Sequence, residues 1–496
     1  MLRMNNRIEI LLIECEQSFY SGAKQGNINE VMLPVGLMYL SSFVKKYIKN
    51  LNLDIQLIDL AITNTNEDLL SKIELEPKII GLRGLTKNQD IVHNTAKLLK
   101  NRYPGVLIIS GGPYMSADYK IALQDNNIDF GVIGEGEYPF LETVRCISEG
   151  RREDIRGIRG IVYYDKQSEK IVINEGQDKP DLNSEPMPDY SIIELNKYSD
   201  VIGNAKVRRK QAVVLASRGC PFKCIYCHKL FGKEARVRSP KSVFNEIIYL
   251  WNEQGIKDFF FVDDVFNINP RNTIELCSLI IKHKITPKLY FQNGFRADIC
   301  SYEVIDACVE AGMILVNYAL ETSSPRLQKL IRKNINIGKL EDIVHYTCSK
   351  NIIVGLNTMI GFPTETEKEA EDTISFLSGF KKLTLPFLFV ARYYPGTEMY
   401  DLAVKMGADV GNLVKHSQKV YHDTTLPTPT FSTEQLKYFY SQYLFKVFFN
   451  DTRLNNSQKI LERFFSGEDI KDFYSTLLNR KIVDVQKEIL GVAAIR

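Results

Sequence analysis

From Arg7 to about Gly150, short β-branched runs alternate with stretches whose apolar residues recur at helical spacing. The runs are Ile8–Ile13, Ile55–Ile58, Ile79–Gly84, Val106–Ser110 and Phe130–Gly134; the helical patterns lie near Leu37–Lys49 and Asp90–Asn101. Apolar strands separated by amphipathic helices predict a doubly wound parallel sheet of the Rossmann or flavodoxin kind over residues 1–150. Over 151–209 the pattern loosens, with Pro180, Pro186 and Pro188 among Asp, Asn and Ser, which predicts a linker carrying a short hairpin.

A second alternation begins at Gln211. Its predicted strands are Ala212–Ser217, Asp258–Asp263, Lys288–Asn293, Ile314–Glu321, Ile352–Ile360 and Phe387–Tyr394, with apolar stretches of helical period between them. Six β/α units predict a partial (β/α)6 barrel of the TIM type over 210–403, whose chemistry gathers at the carboxyl ends of the strands. Residues 404–496 are helical in pattern and rich in Phe and Tyr, with Pro427 and Pro429 as a break, and predict a helical cap. No fixed-period repeat and no low-complexity segment occurs.

At 496 residues the chain exceeds one ordinary core, in keeping with this multidomain α/β class. Lys+Arg of 63 against Asp+Glu of 60 leaves a formal charge of +3, with no block of like charge to serve as a nucleic-acid arm or membrane patch. The apolar run Ile8–Ile13 is interrupted by Glu9, is followed by Glu14 and lacks a small-residue cleavage site, so it is read as a first strand rather than a signal peptide. No apolar stretch approaches the roughly 18 residues of a membrane span, and a cytoplasmic protein is expected.

Nine cysteines could change that picture, but three fall within eight residues and the rest are scattered. Cys15, Cys146, Cys277, Cys300, Cys308 and Cys348 sit in apolar or helical surroundings and are expected to be buried structural thiols. Cys220, Cys224 and Cys227 instead share the loop Arg218–Lys229 directly after the first barrel strand, where their thiolates could converge. Three ligands on a [4Fe–4S] cluster leave one iron open. That iron could take the amino and carboxylate groups of S-adenosylmethionine and place its sulfonium to receive one electron, releasing methionine and a 5′-deoxyadenosyl radical. Zinc held by the three cysteines and His228 is the alternative, although adjacent residues in a tight loop rarely aim at one metal. Tyr226 stands where it could lie over an adenine, or simply pack.

These residues, with others in order at the strand ends, resemble the radical S-adenosylmethionine superfamily over roughly Gln211 to Ala403. The acidic pair Asp263-Asp264 ends the second strand, where the resemblance implies a site for the methionine amino group. Arg296-Ala297-Asp298 resembles the family's Arg-Ala-Asp element. Leu320-Glu321-Thr322-Ser323 resembles its Glu-Ser element near ribose and carboxylate, with Thr322 where serine is usual. Met359-Ile360-Gly361-Phe362-Pro363 is similar to the segment flanking adenine, which implies a role for Ile360 and Gly361, and Tyr394-Pro395-Gly396-Thr397 closes the sixth strand. A zwitterionic methionine tail needs both an acceptor and a cation, and strand ends hold them rigidly.

In the N-terminal sheet, Gly111-Gly112-Pro113 follows one strand and Gly134-Glu135-Gly136-Glu137 the next. Glycines there permit close backbone approach by a large planar or nucleotide-bearing ligand, although the G-x-G-x-x-G fingerprint is absent. Together with Pro34-Val35-Gly36-Leu37 they resemble the cobalamin-binding domain ahead of the barrel in one large branch of the superfamily. His93 is the only histidine before the triad and falls in a predicted helix. The resemblance therefore implies a cobalt face without histidine, with Arg83 or Thr86 near it.

Three functions are compatible with these residues. The first is a cobalamin-dependent radical methyltransferase, acting on an unactivated carbon. The second uses radical cleavage for a cyclisation, rearrangement or oxidation, with cobalamin assisting or lost, and the third is a cobalamin-binding or electron-transfer module without catalysis. The resemblance implies a small-molecule or peptide substrate and an electron donor such as flavodoxin or ferredoxin. No cysteine follows Cys348, so an auxiliary-cluster domain is not expected.

Overall fold

The computed structural model describes residues 7–16, 33–62, 66–176, 178–198, 210–228, 230–419, 421–467 and 469–470. Backbone contacts divide the chain into two compact units, one reaching to Tyr198 and including His228–Gly232, the other holding the remainder.

The first unit is built on β1 (Arg7–Glu14), β2 (Asn52–Asp59), β3 (Ile79–Arg83), β4 (Leu107–Gly111), β5 (Phe130–Val132), β6 (Ile161–Asp165) and β7 (Lys170–Ile173). They form one sheet in the order β2-β1-β3-β4-β5-β6-β7. β1 to β5 are parallel. Alternation along β1 explains the two-sided cover: Ile8, Ile10 and Leu12 pack with Phe43, Val44 and Phe140, whereas Leu11 and Ile13 pack with Val92, Ala96 and Leu99. Because β2 and β3 lie on opposite sides of β1, the connections diverge at the β1/β3 boundary, which is where a doubly wound sheet opens a ligand crevice.

Within the expected linker 151–209, the hairpin is part of the sheet: β6 and β7 pair antiparallel and β6 pairs with β5. The reason is edge protection. The short β5 would otherwise expose its backbone, and the buried Ile161 and Val162 cover Val132 and Gly131. Residues 199–209 of that stretch lie outside the described residues.

In the second unit β8 (Gln211–Val214), β11 (Asp258–Phe261), β12 (Lys288–Phe291), β13 (Met313–Glu321), β14 (Ile353–Ile360) and β15 (Leu385–Val390) form the parallel sheet of a partial barrel, in the order β15-β14-β13-β12-β11-β8. A small ribbon of β9 (Ser217–Arg218) and β10 (Arg236–Val237) rises from its first edge. Three of the intervening helices start alike. Ser239-Pro240, Asn269-Pro270 and Ser324-Pro325 each place proline where no amide donor is needed, and each cap side chain accepts a backbone N–H of the first turn. The six expected β/α units are thus present. Helix Glu398–Lys405 follows the sixth strand, and helices at Val410–Ser417, Thr433–Tyr443 and Asp451–Leu461 lie in the expected helical region 404–496, whose stretch 471–496 lies outside the described residues. Among the described residues no helix is long and apolar enough to cross a membrane.

One buried ion pair ties the ribbon to the barrel. Arg238 donates to Glu246 at 2.6 Å and to the Leu215 carbonyl at 2.8 Å, and Glu246 is fully buried. Glu246→Ala would strand a buried guanidinium, so chemical denaturation should show a loss of about 3–5 kcal/mol; an unchanged midpoint would contradict the packing described.

Candidate functional site

The triad loop has no regular structure of its own, so its shape is imposed by its neighbours. Gly219, at φ +88°, directs its N–H to Asp264 Oδ2 at 3.0 Å. The Ile225 N–H donates to the Ile331 carbonyl at 3.1 Å, and its carbonyl accepts from the Met399 N–H at 3.0 Å. Ile225 also packs with Leu327, Ile331, Phe362 and Met399. The segments beyond β11, β13 and β15 therefore hold one loop.

Cys224 is buried, Cys220 half-buried and Cys227 exposed. The Cys227 thiol hydrogen-bonds to Cys224, which brings Cys224 down to about 6 and holds Cys227 well above the usual thiol range. The positive charge of Lys333 favours both thiolates. Burial raises Cys220, and the charge of Cys224 adds to it. Among the described residues no three ligating side chains already form a metal-holding group. Of the three thiols, Cys224 and Cys227 are the pair in hydrogen-bond contact. The six other cysteines are all buried, as expected.

Next to the triad lies a buried polar cluster. Glu321, the last residue of β13 and held at φ +71°, accepts from the Tyr226 hydroxyl at 3.0 Å and from Lys333 Nζ at 2.7 Å. Arg296 makes a two-pronged pair with Asp298 at 2.7 and 3.1 Å and donates to the Lys333 carbonyl at 2.8 Å. Its guanidinium lies 3.7 Å over the ring of Phe222, inside the triad loop. The buried Asn267 fixes the Arg296 backbone through two bonds of 2.9 Å. Asp263 accepts from the Ser217 hydroxyl at 2.7 Å, and burial pushes it up to about 7. At the end of β14, Gly361 sits at φ +89°, and a Cβ there would come within 2.6 Å of Thr428. Its N–H and that of Phe362 are gathered by Glu365 at 2.5 and 3.0 Å, and burial lifts Glu365 to about 8. Ile360 points into the core.

Asp264, Arg296 and Glu321 thus touch the cysteine loop directly, at Gly219, Phe222 and Tyr226 respectively. Sequence reasoning missed Lys333, Asn267, Phe222 and Glu365. A lone lysine between Ile331 and Ile335 was the one available signal for Lys333.

In the first unit, Arg83 and Glu14 are register partners at the ends of β3 and β1, with Arg83 Nη1 2.7 Å from both Glu14 oxygens. Burial lifts Glu14 to about 7 even so. Gly112, at φ +82°, packs on Arg83, and a Cβ there would meet Arg83 Cγ at 2.8 Å. Gly134, at φ +81°, donates to Ser116 Oγ at 3.0 Å. Gly111 and Gly136 keep backbone angles that other residues adopt, and Glu135 is buried. Thr86 donates to Asp118 at 3.0 Å.

The residues present suit the expected groups. Three thiols on one loop are an iron–sulfur donor set. Asp263 keeps one buried oxygen without a partner among the described residues, where a donor would be satisfied. In the first unit, the buried Asn88 Nδ2, Ser110 Oγ and Asp118 Oδ1 are likewise unpartnered among the described residues.

Comparison with known proteins agrees. Residues 214–377 match the radical SAM superfamily and residues 26–144 the B12 binding domain. An uncharacterized methyltransferase of Pyrococcus horikoshii is 33% identical over 383 residues, covering 75% of this chain and 78% of that protein. The anaerobic magnesium-protoporphyrin IX monomethyl ester cyclase of Rubrivivax gelatinosus is 26% identical over 68% of this chain and 61% of its own length, so the chain spans about three-fifths of that relative. The radical S-adenosylmethionine methyltransferase TsrM of Kitasatospora setae, with cobalamin and a [4Fe–4S] cluster bound, shares the fold at a TM-score of 0.65, with 17% identity over 80% of this chain and 78% of that chain. The two domain matches carry the cofactors [4Fe–4S], S-adenosylmethionine and cobalamin, and the zinc alternative gives way to the cluster. The chain belongs to the radical SAM superfamily, in the branch that carries a B12-binding domain ahead of its barrel and includes named methyltransferases.

Proposed function

We propose that the chain methylates an unactivated carbon of a small-molecule or peptide substrate, with an electron donor such as flavodoxin or ferredoxin, in the cytoplasm. One observation carries this reading: a B12-binding domain and a radical SAM barrel occupy a single chain. Nine free cysteines accord with a reducing compartment.

Cys220, Cys224 and Cys227 would hold the cluster. Asp263 and Asp264 would receive the methionine amino group, and Arg296, Glu321 and Lys333 would orient the carboxylate and ribose. Tyr226, Gly361 and the backbone of Ile360 would border the adenine. Thr86, Gly111, Gly112, Gly134, Glu135 and Gly136 would shape the cobalamin bed, with Gly112 letting the ligand approach Arg83 closely. When bound, these groups supply a single electron for cleaving S-adenosylmethionine and a carrier for the methyl group. The protein's own contribution is charge placement, since Glu321, Lys333 and Arg296 are fixed by one another before any ligand arrives.

A second reading, cyclisation or oxidation with cobalamin assisting, draws on the 26% identity to the cyclase. Product analysis separates the two.

Reconstituted without oxygen, the protein should bind about four irons and four sulfides, and Cys220→Ala, Cys224→Ala and Cys227→Ala should each lose them; stoichiometric zinc in their place would contradict the assignment. Protein produced with cobalamin available should retain it, and Gly112→Leu should expel it while iron content stays intact, as absorbance and metal analysis will report. With its true substrate, each turnover should yield one 5′-deoxyadenosine, one S-adenosylhomocysteine and one added methyl mass. A product without that mass would favour the second reading. Glu321→Gln should slow both nucleoside products together, by the about 1.5–3 kcal/mol of a charged hydrogen bond.

A further inference from the structure

Side chains along a strand alternate between the two faces of the barrel wall. On β13, Tyr318 faces the outer helices, its hydroxyl 2.9 Å from Thr347 of helix Ile337–Ser349. Asn317 and Ala319 therefore face inward. Register carries that inner face across the sheet: Asn317 stands beside Gly355, Ala319 beside Asn357, Asn357 beside Phe387, and Met359 beside Phe389. The inner positions stack in layers, as in other barrels of parallel strands. The lowest layer is closed, with Phe260 and Tyr290 stacked at 4.1 Å and buried beside Leu315. Above it the wall opens. Asn317, Ala319, Asn357, Met359, Phe387 and Phe389 are all partly exposed, whereas the residues between them on the outer face are buried.

The two sides of this inner face differ in chemistry. On one side Asn317 donates to the Gln292 carbonyl at 3.2 Å, which sets the direction of its amide. Gly355 makes room for it, since a Cβ there would lie 1.8 Å from Asn317 Oδ1. Asn317 Oδ1 and Asn357 Oδ1 are shielded from water and have no partner among the described residues. Two unpaired carbonyls one layer apart are unfavourable in an empty wall and useful beside a ligand that brings donors. On the other side Phe387 and Phe389 lie parallel, 5.5 Å apart and 13° between planes, and Phe389 continues to Tyr421 at 5.6 Å and His422 at 5.9 Å. This is a flat apolar wall. None of the six half-exposed inner positions carries an ionised side chain.

Resting on the enzyme reading above, we propose that the inner face of β13–β15 binds an uncharged, flat-faced part of the substrate, its N–H or O–H groups donating to Asn317 and Asn357 and its ring lying along Phe387 and Phe389. A carboxylate or phosphate at the same place would find no cation on these strand positions to offset its desolvation, so an anionic group is disfavoured there.

Benzamide and benzoate share a ring and a size and differ in charge and in N–H donors, so they are the probes. Anaerobically reconstituted full-length protein, titrated by saturation-transfer NMR, should bind benzamide at least about tenfold more tightly than benzoate, the effect of roughly one good hydrogen bond. Asn357→Leu, a near match in volume, should cut benzamide affinity about tenfold while leaving the melting temperature unchanged or higher, because it removes an unpaired group. Iron content and 5′-deoxyadenosine release without substrate should be unaltered in that variant; their absence in the unaltered protein would defeat the enzyme reading and not this one. Benzoate binding as tightly as benzamide, neither probe binding, or benzamide affinity surviving Asn357→Leu would overturn the proposal. The comparison of the two probes on the unaltered protein decides it even if the variant fails to fold.

Discussion

The loop that carries three thiols within eight residues has no helix or strand of its own, and this constraint shapes the second unit. The loop carrying them has to be gripped from outside, and the grip comes from segments far apart in sequence: Asp264 on Gly219, Ile331 and Met399 on Ile225. Each follows a different barrel strand. A parallel barrel suits this task because all its strands end on the same side, so the segments beyond them can meet over one loop. The strands themselves pair in a parallel sheet and pack through apolar side chains, with Phe261 and Phe291 stacked at 4.8 Å and buried.

Charge is then concentrated where that grip is tightest. Lys333, Glu321, Tyr226, Arg296 and Asp298 form a connected set of charged hydrogen bonds beside the cysteines, and Asp263 is buried beyond the end of β11, where the Ser217 hydroxyl donates to it. Burying such groups is unfavourable unless their bonds are satisfied, and here all but a few atoms are. The exceptions are informative: one oxygen of Asp263 and the carbonyls of Asn317 and Asn357 have no hydrogen-bond partner among the described residues. In the first unit, the Glu14–Arg83 pair plays a comparable part at the β1/β3 boundary, fixing a cation under Gly112.

Much of this was legible in the sequence, and the reason is periodicity. Strands buried on one or both faces leave apolar runs of distinctive length, so the alternation of both sheets could be read, and the triad declared itself by spacing. The hairpin of β6 and β7 was legible as a hairpin but not as sheet, since its role depends on the open edge of β5, which only assembly reveals. Lys333 was hidden because a lysine near a helix end is normally solvated, and only Glu321 at φ +71° makes it a buried partner. The inner face of β13–β15 escaped notice for a related reason: Asn317 and Asn357 look like breaks in apolar strands until register sets them one layer apart.

The central claim is that a triad-held cluster keeps one iron open for S-adenosylmethionine. Electron paramagnetic resonance of the reduced, anaerobically reconstituted protein, recorded before and after addition of S-adenosylmethionine, tests it most directly. The reduced [4Fe–4S] cluster should give a signal whose g values shift when S-adenosylmethionine binds at the open iron. A cluster signal that S-adenosylmethionine leaves untouched, or no cluster signal in protein that retains its three cysteines, would contradict it.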